Sequence, residues 1–119
     1  MKPRAEDENN VQKSKLTPFD TSNPYVDDRW TEFKIVGKNI QSRSHHAAVE
    51  YNDHLYVYGG YDADRGILSD FYKMNLNGKE DGFRWLALPI NDPNYPGKLK
   101  SHVAAVHKNC LLIFGGQTV

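Results

Sequence analysis

With one cysteine, Cys110, the chain cannot form an internal disulfide. The same residue adds no zinc-finger spacing, and beside the apolar run Leu111 to Phe114 it is expected to be a small buried hydrophobe. No apolar run approaches the roughly 20 residues that a membrane-spanning helix needs. Met1-Lys2-Pro3-Arg4 leads into Ala5-Glu6-Asp7-Glu8 rather than a hydrophobic signal core. The expectation is a cytoplasmic chain with no membrane partner. Net charge is also missing: 15 basic and 15 acidic residues cancel, so the overall field gives no reason to expect nucleic acid as a partner.

Catalytic signatures are equally scarce. There is no Gly-x-Ser-x-Gly elbow, no phosphate loop and no convincing carboxylate pair, and Asp62 with Asp64 reads as a solvated loop. Five histidines invite a metal, but His45 and His46 are adjacent, and neighbours on a strand point to opposite faces. They cannot both face one ion without a bulge. The expectation is therefore no catalytic residue, no metal and no cofactor, with His46 and His102 hydrogen-bonding loop backbone.

What is present is a repeat. Leu55-Tyr56-Val57-Tyr58-Gly59-Gly60 returns as Leu111-Leu112-Ile113-Phe114-Gly115-Gly116, 56 positions later. At that offset His46 meets His102, Ala48 meets Ala104 and Tyr58 meets Phe114 without a gap. Arg29-Trp30 recurs as Arg84-Trp85 one position short of it, which one inserted loop residue explains. Four apolar, β-branched or aromatic residues running into Gly-Gly read as a strand buried on both faces, with glycine where the backbone needs positive φ or close approach. A period in the fifties lies near the upper end of those of propeller blades and solenoids.

Residues 1–28 are polar and lack a sustained apolar period, which predicts a disordered leader. Residues 30–36, starting at Trp30, suggest a strand. Arg43 to Tyr51 follow as a strand with small early positions, and Asn52-Asp53 turns the chain into the Gly-Gly strand, because Asn and Asp tolerate turn geometry. A polar loop is expected over Tyr61 to Gly66, then a strand Phe71 to Leu76, an Asn77-Gly78 turn and a strand Arg84 to Leu88 stopped by Pro89. The first repeat, 43–88, thus holds four strands and no helix. The second, 99–116, repeats its first two.

These residues resemble the kelch repeat: a basic-Ser-His approach, a small apolar strand, a hairpin, an apolar strand into Gly-Gly, an aromatic strand and a Trp strand. The resemblance covers about residues 29–119, at Arg43, His46, Gly59, Gly60, Tyr72 and Trp85 in the first repeat and His102, Gly115 and Gly116 in the second. It implies an all-β fold, a partial β-propeller of four-stranded antiparallel blades. Trp30 would lie in a strand completing another blade, and the remaining blades are expected from a part of the protein outside these residues. Where the repeat usually offers arginine, the second copy has Leu99 between Lys98 and Lys100.

The resemblance also implies a non-catalytic scaffold for a protein or peptide partner. In such a blade the loop entering the first strand and the loop leaving the second open on one rim, shared by Arg43 and Tyr61. An arginine fork with an exposed aromatic has the composition of an interface hot spot, and Asp62, Asp64 and Arg65 would supply a polar surround. The competing possibility is that Arg43 pairs with a neighbouring loop acid and Tyr61 caps the blade. A copper-oxidase-like propeller enzyme is the alternative for the whole; its tyrosine and histidine ligands would come mostly from elsewhere.

Overall fold

A computed structural model describes residues 32–78 and 82–119. The leader expected over 1–28, and Trp30, lie outside the described residues. The chain divides into two compact units, 1–33 and 34–119, and the second holds every named strand.

Six strands make up its regular structure: β1 (Ala47–Tyr51), β2 (His54–Asp62), β3 (Gly66–Asn75), β4 (Trp85–Ala87), β5 (Lys100–His107) and β6 (Cys110–Gln117). β1 to β4 form one antiparallel sheet in chain order, and β5 with β6 form a second, two-stranded sheet. Among the described residues there is no helix. Of the strand expected over 30–36, residues 32–36 contribute one parallel bridge, Ile35 to Phe83.

The repeat is preserved in the register. Ala47 pairs Tyr58 as Val103 pairs Phe114, and Tyr51 pairs His54 as His107 pairs Cys110. Both hairpins turn through two consecutive residues at positive φ, Asn52 and Asp53 in one, Lys108 and Asn109 in the other. Two left-handed residues are what a two-residue hairpin needs to match the strand twist.

Two boundaries differ from expectation. β1 begins at Ala47 rather than Arg43, because His45 sits at φ 57° and breaks the extended run; Ser44 before it still bridges Tyr61. Half of the polar loop expected over Tyr61 to Gly66 is strand, and β3 begins at Gly66 rather than at the expected Phe71. Only Ala63 to Arg65 turn, because the Asp62 carboxylate accepts the N–H groups of Asp64 at 2.6 Å and Arg65 at 3.2 Å, and Gly66 takes φ 83°. This is an Asx-stabilised three-residue hairpin.

The core lies between the two sheets. Tyr58, 2% exposed, meets Phe71, Tyr95 and His102 edge-on at centroid distances of 5.9, 5.3 and 5.4 Å. Its hydroxyl donates to the Gly97 carbonyl, and the Tyr95 hydroxyl donates to Ser69 O at 2.7 Å. Val57 and Met74 are buried on the opposite face of the first sheet.

β6 departs from the expected two-sided burial. Leu111 and Ile113 face the first sheet's side and are half-buried, but Leu112 and Phe114 are exposed, and so is Cys110. In the first repeat β3 covers the edge of β2 and β5–β6 cover its face. Nothing among the described residues does either for β6.

Candidate functional site

The positions singled out in the sequence gather at one end of β1 and β2. Ser44 and Tyr61 exchange both backbone hydrogen bonds, Ser44 N to Tyr61 O at 2.9 Å and Tyr61 N to Ser44 O at 2.7 Å. That double bond places the segment holding Arg43 beside the start of the β2–β3 hairpin. Asp62 and the turn residues Asp64 and Arg65 follow directly. An open groove of about 530 Å³ runs between the two segments, lined by Gln41 to Ser44 and Tyr61 to Asp64.

Arg43 stands at this groove, but its guanidinium turns inward. The side chain is 3% exposed and forms a bidentate pair with Asp70, at 2.5 and 3.0 Å. It also donates to Gly59 O and to Gln41 O, both at 3.1 Å, and lies 5.7 Å from the centre of the Tyr72 ring. A planar fork with its donors engaged this way is a strut between the entering segment, β2 and β3. Its partner is aimed by a β-bulge: between Tyr58↔Phe71 and Gly60↔Leu68, two residues of β3, Ser69 and Asp70, stand opposite Gly59 alone. Bulges commonly re-aim a side chain in this way.

Tyr61 points outward. It is 36% exposed, and the ammonium of Lys100 lies over its ring at 4.9 Å from the centroid. A cation over a tyrosine face is favourable by about 0.5–1 kcal/mol at an exposed site. Asp62 is buried, with its carboxyl held below the usual range mainly by the Asp64 N–H and further by that of Arg65. Asp64 and Arg65 are exposed at the hairpin tip.

Sequence reasoning missed Asp70, Lys100 and Gln41. Lys100 was findable from the repeat: it occupies the position of Ser44, and it pairs Gln117 as Ser44 bridges Tyr61. Leu99, at the position of Arg43, is buried, with its N–H on Leu68 O and its carbonyl receiving Gly60 N–H. The second repeat therefore replaces the ionic strut with an apolar one. His102 is buried with its Nε2–H on Tyr58 O, whereas His46 at the matching position is exposed. Burial lowers the pKa of His102, and partial desolvation of the His46 ring together with the nearby Arg43 charge lowers that of His46.

Among the described residues no three His, Cys, Asp or Glu side chains converge as a metal site would require. The structural glycines behave alike in both repeats: Gly59, Gly60, Gly115 and Gly116 all have φ between 65° and 111°. Trp85 donates its indole N–H to Asn39 Oδ1 at 3.0 Å.

Known proteins share this sequence pattern. A family model, the KLHDC2/KLHL20/DRC7 Kelch-repeats domain, matches residues 5–119. The chain belongs to this kelch-repeat family, and its antiparallel, helix-free sheets are part of a kelch β-propeller. It is similar to the human leucine-zipper-like transcriptional regulator 1, 28% identical over 99 residues that cover 79% of this chain and 11% of that protein. The Drosophila melanogaster homolog is 29% identical over 92 residues, 75% of this chain and 9% of the other. Acyl-CoA-binding domain-containing protein 5 of Arabidopsis thaliana is 34% identical over 89 residues, 73% and 13% respectively. The chain thus spans about a tenth of the length of these relatives.

Proposed function

We propose that the chain is a non-catalytic protein-interaction module that presents the Tyr61 groove to a protein or peptide partner. What carries the reading is the exposed Tyr61 ring, held beside an open groove on backbone clamped by Ser44. Aromatic residues with polar neighbours on a rigid frame are the composition of interface hot spots. In this reading Tyr61, Asp64, Arg65 and Lys100 touch the partner, Asp62 fixes the hairpin that carries them, and Arg43 holds the groove's floor. Membership of a kelch-repeat family, and relatives named as regulators, support an interaction role.

The test is capture of a partner by the intact chain, followed by calorimetry with the purified partner. Tyr61→Ala and Asp64→Ala are expected to weaken binding while leaving the melting temperature unchanged, Tyr61→Ala by about 1 kcal/mol or more. Unaltered affinity in both variants would reject the groove as the binding surface. Arg43→Ala is expected to lose binding and stability together, because its guanidinium is internal.

A further inference from the structure

Between the two repeats the chain runs from β4 to β5, and on the way it grips β3 at two consecutive carbonyls. Leu99 N donates to Leu68 O at 3.1 Å, and the Tyr95 hydroxyl donates to Ser69 O at 2.7 Å. The next residue of β3 is Asp70, whose carboxylate holds the Arg43 guanidinium. Ser69 and Asp70 are the two residues that stand opposite Gly59 in the bulge, where the ladder between β2 and β3 is interrupted. The linking segment and the anchor of the groove thus meet at one irregular point of the first sheet.

The Ser69 carbonyl belongs to the peptide unit that ends at the Asp70 nitrogen. That unit is planar, so a hydrogen bond to its oxygen fixes the rotation of the plane and with it the direction in which the Asp70 side chain leaves the backbone. A bidentate pair depends on angle as well as distance, and a carboxylate that swings loses one of its two prongs. Tyr95 is itself firmly held. Its N–H reaches Asp92 O at 3.0 Å and the Asn94 N–H reaches Asp92 Oδ1 at 2.8 Å, which closes a turn whose first two residues, Asp92 and Pro93, favour that geometry. Its ring lies edge-on to Tyr58 at 5.3 Å, and the Tyr58 hydroxyl fastens the same segment at Gly97 O. Burial, then the neighbouring Tyr58 and Asp70, push the Tyr95 phenol far above its ordinary range, so it remains a donor.

We propose that Tyr95 is a positioning residue for the groove: through the Ser69 carbonyl its hydroxyl sets the bulge that aims Asp70 at Arg43. The ring fills the core with or without the hydroxyl; the hydroxyl is what aims the carboxylate. Arg43 in turn braces the segment Gln41 to Ser44, one wall of the groove, which Ser44 joins to Tyr61 through both backbone hydrogen bonds. The segment between the repeats is thereby coupled to the groove. What this does to partner binding rests on the groove being the binding surface, but the coupling belongs to the fold and is measured with no partner present. Its failure and the failure of the groove as a binding surface are therefore separate results.

Double-mutant cycles in the intact protein test this. The coupling between Arg43→Lys and Asp70→Asn is measured by denaturant unfolding, once with Tyr95 in place and once with Tyr95→Phe. Tyr95→Phe keeps the ring and removes the hydroxyl, and it is expected to abolish most of the coupling. Tyr58→Phe, which releases the same segment at Gly97 O and leaves the bond to Ser69 O, is expected to destabilise the chain and preserve the coupling. A coupling unchanged by Tyr95→Phe overturns the proposal, because a side chain that only fills the core lowers the stability of all four chains of the cycle alike. A coupling lost equally in Tyr58→Phe overturns it too. Should a member of the cycle fold poorly, amide exchange in Tyr95→Phe alone decides. The Ser44 and Tyr61 amides are then expected to exchange faster while those of Val49 and Tyr56 keep their wild-type rates, and equal acceleration at all four, or none, overturns the proposal.

Discussion

The His102 imidazole donates its Nε2–H to the carbonyl of Tyr58, across the boundary between the two sheets and against the ring of the most buried tyrosine. Its Nδ1 is buried and has no hydrogen-bond partner among the described residues. The neutral ring fits this site and the charged ring does not, since protonation places an N–H where no acceptor waits.

Stability is therefore expected to fall on acidification. Burial lowers the folded pKa of His102 below its ordinary value of 6.5, despite the opposing effect of the Tyr58 carbonyl. The unfolded chain then binds the proton more readily, so the contribution is fully present above pH 6.5 and is lost as pH falls below it. Denaturant melts between pH 7.5 and about 5 check this. His102→Gln, which keeps a donor and does not titrate, should flatten the dependence; an equally steep profile in the variant would assign the protons elsewhere, His46 included.

Gly60→Val is expected to damage the fold more than Gly66→Val. Both residues have positive φ, at 111° and 83°, so both substitutions strain the backbone. A side chain at Gly60 would in addition meet Ser44 O at 2.7 Å and His46 Cβ at 2.9 Å, whereas at Gly66 nothing lies within 4 Å. Thermal melts of the two variants should separate by several degrees, in keeping with a difference of about 1–3 kcal/mol. Equal melting temperatures would contradict the close approach at Gly60.

Arg43→Lys is expected to destabilise the chain despite keeping the charge. Lysine cannot reproduce the two-pronged pair with Asp70 or the bonds to Gly59 O and Gln41 O together. Loss of roughly 2–4 kcal/mol follows from breaking a mostly buried charged network. Asp70→Asn should produce a loss of the same sign, and the double variant should lose less than the sum of the two. A double-mutant cycle that proves additive would show that the two side chains act independently.

Much of the fold was legible in the chain. The 56-residue offset and Asn52-Asp53 located both hairpins, because periodicity and turn chemistry are properties of neighbouring residues, although β2 and β6 run past Gly-Gly to Asp62 and Gln117 rather than ending there. The proximity of Arg43 and Tyr61 was also legible, from the up-and-down order of the strands. The length of the β2–β3 hairpin was not, since its turn depends on one carboxylate folding back on two N–H groups.

Sequence alone determined that residues 43–119 are β-sheet built on a repeat, with the first two strands of each repeat and the turn between them. Tertiary structure decided what each repeated position does. The bulge opposite Gly59 aims Asp70 at a guanidinium 27 positions earlier and turns Arg43 from a surface fork into an internal strut. The presence or absence of a covering sheet leaves Tyr58 buried and Phe114 exposed at the same place in the pattern. Local preference acts through adjacent residues and repeats when they repeat, whereas burial and pairing depend on which distant surface arrives, and that differs between one repeat and the next.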